Sequence, residues 1–324
     1  MLGEIESRAA EAGKGGPRWL PRSLREAFKY RDLLRNLVVR DLKLRYRGSA
    51  LGFIWSLLNP LLLMLIFWFV FSTLLGSTTP HFPLFLFAAL LPWTWCASTV
   101  GAATGSIIGN GNLINKVYFP RELLPISIVI SNGVNFLLAL PVVFGFVIYY
   151  LVVNPADYGL NSLLANRQSV VLTNSADVYY NNVQPVWRIV KDSVTLLNPF
   201  NANLLWLIVL VITQAIFLAG LGLFLAALNV RFRDTGVIVE VVLQAWFFLT
   251  PVFYDLRNIF NEAAQYVYWA NPMASIISNY RLILYNGVPP DASFMLRTLV
   301  TSIIVFVIGY LFFARQSRTF SEEI

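Results

Sequence analysis

Apolar residues run through this chain in long blocks separated by short polar ones. Leu57–Leu75 alone holds 19 residues without a charge, and about 20 residues at ~1.5 Å each cross a ~30 Å hydrocarbon core. The blocks predict six membrane spans: Leu51–Leu75, Leu84–Ile108, Leu124–Val153, Asn203–Leu228, Gly236–Tyr254 and Phe294–Ala314. Proline falls inside three of them, as Asn59-Pro60, Pro92 and Pro141. Each removes a backbone donor and frees a carbonyl that a neighbouring helix must satisfy, as in a multi-helix bundle rather than a set of independent anchors.

Four segments between the blocks have patterns of their own. Over residues 25–47, projection at about 100° per residue puts Tyr30, Leu33, Leu34, Leu37, Val38 and Leu44 on one arc and Arg25, Lys29, Arg31, Arg35, Arg40, Lys43 and Arg47 on the other. Asp41 and Arg45 intrude on the apolar arc. A basic amphipathic helix of this kind is expected to lie in the membrane interface with its cations near anionic lipid. The loop Gly109–Leu123 reads GNGNLINKVYFPREL. Asn154–Asn198 has mixed polarity, and Ser169–Thr173 with Val178–Tyr180 predicts a small extracytoplasmic hairpin or cap. In Asp255–Ala292, Asn271-Pro272 is a helix start signal, and Gly287 with Pro289-Pro290 is a stop. The apolar pieces between are too short to span and predict re-entrant or interfacial helices on the outer side.

Composition agrees with the blocks. Of 324 residues, 57% are apolar and only 13% charged, with a mean hydropathy of +0.64. A typical soluble domain carries about 25% charged residues, so a soluble globular enzyme and a disordered chain are both excluded. The net charge of +7 could suggest nucleic acid, but its distribution points to a membrane surface and no nucleic-acid partner. Eighteen of the 24 Lys and Arg fall on the side that an even number of spans gives to both termini. The positive-inside rule therefore puts both termini in the cytoplasm. The first 50 residues contain no apolar signal-peptide core, so none is expected.

Catalytic chemistry is not apparent. Among 17 acids, Glu240 alone falls inside a span, and one cysteine with one histidine leaves no disulfide and no metal cluster. There is no GxxxxGK[ST] phosphate loop, HExxH or GxSxG. The chain is expected to move or anchor something, with its energy supplied by a partner. Glu240, four residues from Gln244, either lines a polar path or pairs with Arg231 and Arg233 as an interfacial anchor. The aromatic residues, 15% of the chain, form the usual interfacial belts and core, or in part a conduit whose rings stack on sugar faces. Conduit candidates are Trp55 and Phe67 of the first span and Phe247, Phe248 and Tyr254 of the fifth, with Glu240 and Gln244. In the loop, Leu113, Ile114, Val117, Tyr118 and Phe119 form either a turn dipping back to the membrane or an apolar knob for a groove on a cytoplasmic partner.

Four stretches in order, Asn36–Leu62, Asn112–Ile126, Arg233–Tyr254 and Asn271–Arg281, resemble the type-2 ABC exporter permeases of cell-surface polysaccharides. Members export lipid-linked O-antigen, capsule, teichoic acid or arabinogalactan precursors. Residues 1–24 and 154–198 fall outside the resemblance; most members join spans three and four more briefly. The resemblance implies an all-α membrane protein in the bacterial inner membrane that works with a second copy of itself. Two copies of a separate P-loop ATPase would bind the ATP and Mg, this chain holding no cofactor. It matches Asn112, Asn115, Lys116, Val117, Tyr118, Phe119, Pro120 and Arg121 to a coupling helix that docks in the ATPase. It matches Arg31, Arg35, Arg40, Lys43, Arg45 and Arg47 to an entrance for a lipid pyrophosphate.

The layout expected is a tail at 1–24, an interface helix at 25–50 and spans one to three at 51–153 with the coupling loop at 109–123. An outer insert at 154–198 follows, then spans four to six at 199–318 with an outer gate hairpin at 255–292, and a tail at 319–324. A polyprenol-phosphate glycosyltransferase would explain the basic helix and the insert but needs clustered acids. A drug or lipid exporter on the same fold also remains open.

Overall fold

The computed structural model describes residues 30–48, 54–74, 76, 79, 81–116, 119–153, 204–254, 264–317 and 320. Among these every regular element is helical: α1 Arg31–Tyr46, α2 Ile54–Trp68, α3 Phe82–Thr104, α4 Gly111–Lys116, α5 Leu123–Val153, α6 Leu204–Arg231, α7 Thr235–Leu249, α8 Ala264–Ala270, α9 Pro272–Leu284 and α10 Ala292–Gln316. The expected hairpin, the remainder of the insert, residues 1–29 and most of the 319–324 tail lie outside the described residues.

Five helical stretches are long and apolar enough to cross a bilayer: Leu57–Leu74, Phe82–Thr104, Leu123–Tyr149, Leu205–Arg231 and Ala292–Gln316. The fifth expected span is shorter than its apolar block. Its helix stops at Leu249, with Thr250 extended at ψ 134°. The cause is Pro251, which has no backbone donor and disfavours helical backbone at the preceding residue. The 15 residues of α7 reach about 22 Å, less than the ~30 Å hydrocarbon core.

Helix α3 is the centre of the bundle, buried from Phe82 to Thr104 on nearly every side, as expected for a helix apolar all round. Helices α2, α5, α6, α7 and α9 pack around it. Polar side chains join the helices in pairs. Gln214 Nε2 of α6 donates to the Pro92 carbonyl at 2.8 Å, and Asn229 Nδ2 donates at 2.9 Å to the carbonyl of Thr104, the last residue of α3. Such bonds satisfy backbone where water is absent. Helices α6 and α10 meet backbone to backbone: a Cβ on Gly309 would overlap the Gly220 carbonyl, and one on Gly220 would overlap the backbone of Phe306.

Two apolar clusters mark opposite poles. One joins Leu37 of α1, Ile107, Ile114 and Phe119 of the loop region, Leu123 and Leu124 of α5, Val230 of α6, Phe313 of α10 and Phe320. The other joins Tyr268, Ala274 and Phe294, with Tyr254 against them. The first, which carries α1, is the basic pole. Helix α7 begins beside it, and the bent stretch after it, through Tyr254, ends at the second.

Helix α1 packs on α5, with Leu37 and Val38 buried while Leu44 is exposed. The two residues that spoil its apolar arc are both engaged. Asp41 pairs with Arg40 at 3.0 Å and accepts from Ser127 of α5 at 3.4 Å; Arg45 donates to Asn132 of α5 at 2.7 Å. The inner face of α1 is thus held by protein. Helix α9 starts as expected, Asn271 accepting from Met273 N and Ala274 N with Pro272 at the first helical position. Gly287, at φ +68°, lets the chain turn away after it. Its 13 residues are too few to span, and α9 lies within the bundle against α3, α6 and α10.

Candidate functional site

Helices α2, α3, α5 and α7 turn one face each toward a common cleft of about 640 Å³, within the ~300–1,000 Å³ usual for ligand sites. The lining follows helical spacing. Trp55, Asn59, Leu63 and Phe67 descend α2 four residues apart; Leu90, Thr94 and Ser98 do so on α3; Asn132 with Phe136 and Asn135 with Ala139 on α5; Leu243 with Phe247 and Gln244 with Phe248 on α7. Residues four apart share a helix face, so α2, α5 and α7 present rings and amides together, and α3 presents Leu90, Thr94 and Ser98 with Trp93 and Trp95 beside them. The cleft is therefore apolar with a few placed polar groups. Trp93 meets Phe247 with ring centroids 5.5 Å apart, and Phe67 meets Phe247 at 5.7 Å.

A second cleft, of about 880 Å³, opens between α1 and α5, and Arg40, Lys43 and Arg47 line it with Asn135. Asn135 belongs to both clefts, so the basic one adjoins the aromatic one. Arg45, on the aromatic side, is turned inward by its bond to Asn132.

Beyond Phe67 and Phe247 the rings continue. Phe253, in the bent stretch after α7, stacks on Phe71 at 4.9 Å and on Phe67 at 6.2 Å, and meets Phe247 at 5.8 Å and Phe248 at 5.9 Å. Asn271 of α9 fastens the end of α7, accepting from Trp246 Nε1 at 2.9 Å and donating to Thr250 Oγ1 at 3.0 Å.

Of the expected conduit residues, Trp55, Phe67, Gln244, Phe247 and Phe248 share the cleft. Tyr254 lies beyond its rim, its hydroxyl donating to the Phe248 carbonyl at 3.0 Å. Glu240 is exposed one turn before Gln244 and lines neither cleft; among the described residues no ion pair joins it to Arg231 or Arg233. Of the entrance residues, Arg40, Lys43, Arg45 and Arg47 border the clefts, whereas Arg31, paired with Asp32 at 3.9 Å, and Arg35 line neither.

The loop differs from a simple outward knob. Ile114 and Phe119 are buried in the basic-pole cluster, so they hold the loop to the bundle. Asn112 and Lys116 are exposed and Pro120 half-buried. Arg121 donates to the Ser317 carbonyl at the end of α10, where a cation also suits the helix dipole, and lies over the Phe320 ring at 5.9 Å. Val117, Tyr118 and the Asn115 side chain lie outside the described residues.

Sequence reasoning missed Asn59, Ser98, Asn132, Asn135 and Arg281. The four-residue recurrence of amides with rings on α2 and α5 was the available signal for the amides. Arg281 had none, since its partners belong to other elements.

The profile of the family described as ABC-2 type transporter matches residues 32–166 and 192–285. The chain is similar to the O-antigen export system permease protein RfbA of Myxococcus xanthus, 36% identical over 94% of this chain and 99% of that protein. It is similar to an RfbA of Klebsiella pneumoniae, 29% identical over 90% and 94%, and to the polysialic acid transport protein KpsM of Escherichia coli, 22% identical over 78% and 80%. With most of its length matched by the family profile and a permease alike from end to end, this chain belongs to the ABC-2 type transporter family, as a membrane subunit that transports rather than catalyses.

Proposed function

We propose that this permease exports a lipid-linked polysaccharide across the bacterial inner membrane, as a homodimer on two copies of a P-loop ATPase that bind the ATP and Mg. The observation that carries this reading is the junction of the two clefts at Asn135. A lipid pyrophosphate suits the cations of Arg40, Lys43 and Arg47, since charge-assisted bonds to phosphate are among the strongest available. The glycan that follows suits the aromatic cleft, because ring faces hold sugars by apolar contact and tolerate a sliding chain. The relatives named for O-antigen and polysialic acid support a glycan cargo.

Six crossings with both termini in the cytoplasm complete the proposal. The ends of α3, α6 and α10 and the start of α5 meet in one cluster with α1, while the stretch after α7 ends at the other pole. That supports α7 with the stretch after it as a crossing, and the basic pole as the cytoplasmic one. The loop 109–123 at that pole is the surface proposed to meet the ATPase, with Asn112, Asn115, Lys116, Val117, Tyr118 and Pro120 as candidate contacts.

The test is reconstitution. The chain should co-purify with a P-loop ATPase, and proteoliposomes of the pair should move a polyprenyl-pyrophosphate glycan only with hydrolysable ATP. Movement by the chain alone without nucleotide, or no movement by the pair, overturns the reading.

A further inference from the structure

We infer that Phe253 is a ring plug closing the aromatic cleft at the pole away from α1, and that Arg281 is the residue that positions it. The inference deepens the proposed function and rests on that reading.

The argument begins with the backbone. Helix α7 ends at Leu249, where Thr250, Pro251 and Val252 turn into buried positions, and a helix end leaves carbonyls without intrahelical donors. Non-helical backbone at membrane depth persists only where protein satisfies it. Every donor found here comes from a particular group. Thr250 N closes the last helical turn onto the Trp246 carbonyl at 2.9 Å, Val252 N turns back to the Thr250 carbonyl at 2.7 Å, and the Tyr254 hydroxyl reaches the Phe248 carbonyl at 3.0 Å. The carbonyls flanking Phe253 are both taken by Arg281: Nη2 donates to Val252 at 2.6 Å and Nη1 to Tyr254 at 3.0 Å. The guanidinium lies 3.7 Å from the centroid of Phe85 on α3.

A buried cation is costly in such a place, and one that persists points to work it does. The planar fork of Arg281 holds the carbonyls of the residues before and after Phe253, so it pins the backbone from which that ring projects. Helix α9, which carries Arg281, is fully seated in the bundle, and Phe85 braces the fork from α3. Phe253 in turn touches Phe67, Phe247 and Phe248, three rings of the cleft wall. Release of the fork would free the bent stretch, and Phe253 with it, without unravelling α7 or α9.

The experiment uses the full chain with its ATPase in right-side-out membrane vesicles without ATP. In a Cys96→Ala background, Ser98→Cys reports from the cleft wall to a membrane-impermeant maleimide added outside. Labelling should be slow in this parent and at least tenfold faster with either Arg281→Gln or Phe253→Ala. A second reporter, Ile277→Cys on buried α9, should not change, which separates opening of the plug from general loosening. Should Arg281→Gln fail to accumulate, Arg281→Lys keeps the charge but cannot span both carbonyls, and the same rise is expected. Unchanged labelling of Ser98→Cys in the Arg281 variants removes the positioning role, unchanged labelling with Phe253→Ala removes the plug, and a parallel rise at Ile277→Cys overturns both. Labelling needs no transported substrate, so its failure is distinct from a failure of glycan export in the reconstitution.

Discussion

Asp291 caps α10: its carboxylate accepts from Phe294 N at 3.0 Å and from the Ser293 hydroxyl. The Ser293 bond, with backbone N–H donors behind it, holds the carboxyl below its usual range, partial burial pulling the other way. A group depressed in the folded state stabilises in full above its unfolded pKa, near ~4 for Asp, and loses that contribution as pH falls through the lower folded value. Unfolding in detergent between pH 6 and 3 should therefore show an acid-side loss of thermal stability that shrinks in Ser293→Ala. The share carried by Asp291 should vanish in Asp291→Asn, which still accepts the cap bond but cannot titrate; an unchanged acid-side loss in Asp291→Asn would assign it to other groups. Capping of this kind was legible from sequence, because acceptor and donors lie within one turn. Asn271 shows the boundary: its role before Pro272 could be read off, but its bonds to Trp246 and Thr250 could not, since nothing local encodes which helix lies alongside. Arg281 is the extreme case, an outer-loop cation in the sequence and a buried clamp in the fold.

Helices obey the same division. The long apolar blocks became α2, α3, α5, α6 and α10 with ends near those expected, because hydrocarbon thickness and backbone satisfaction leave few alternatives. The block of the fifth span misled at one end, for its hydropathy runs on through Pro251 while its hydrogen bonds do not. Pairing was less legible. Helices α6 and α10 touch most closely at Gly220 and Gly309, and packing in lipid depends on such small residues, with no water to drive association. Gly309→Ala should lower stability by about 1–3 kcal/mol or more, the cost of overpacking, because backbone rather than a flexible side chain must move. Gly145 of α5 has open space where its Cβ would stand, so Gly145→Ala should be neutral or gain up to about 1 kcal/mol in helix propensity. Melting of the two variants in one detergent checks the contrast; equal effects would mean that the α6–α10 contact is not tight.

For the molecule as a whole, the four motif stretches pointed to the family in advance. The sequence did not disclose that the loop 109–123 is fastened to the bundle by two of the residues that looked like its docking knob. Ile114 and Phe119 are buried with Leu37 of α1, Val230 of α6 and Phe313 of α10, and Arg121 ties the end of the loop to the end of α10. If ATPase movement is delivered to this loop, as proposed, those contacts are the route by which it reaches α1 and the long helices, because closely packed side chains transmit displacement rather than absorb it. Shaving the inner face should then loosen transmission without touching the outer face. Ile114→Ala and Phe119→Ala should keep ATPase binding and hydrolysis but raise the ATP consumed per glycan moved several-fold. Lys116→Ala, at an exposed position, should weaken ATPase binding while leaving that ratio unchanged in the complexes that form. Co-purification yield and ATP-to-glycan stoichiometry in proteoliposomes separate the two effects. A ratio unchanged by Phe119→Ala would show that the push enters the bundle elsewhere than through this cluster.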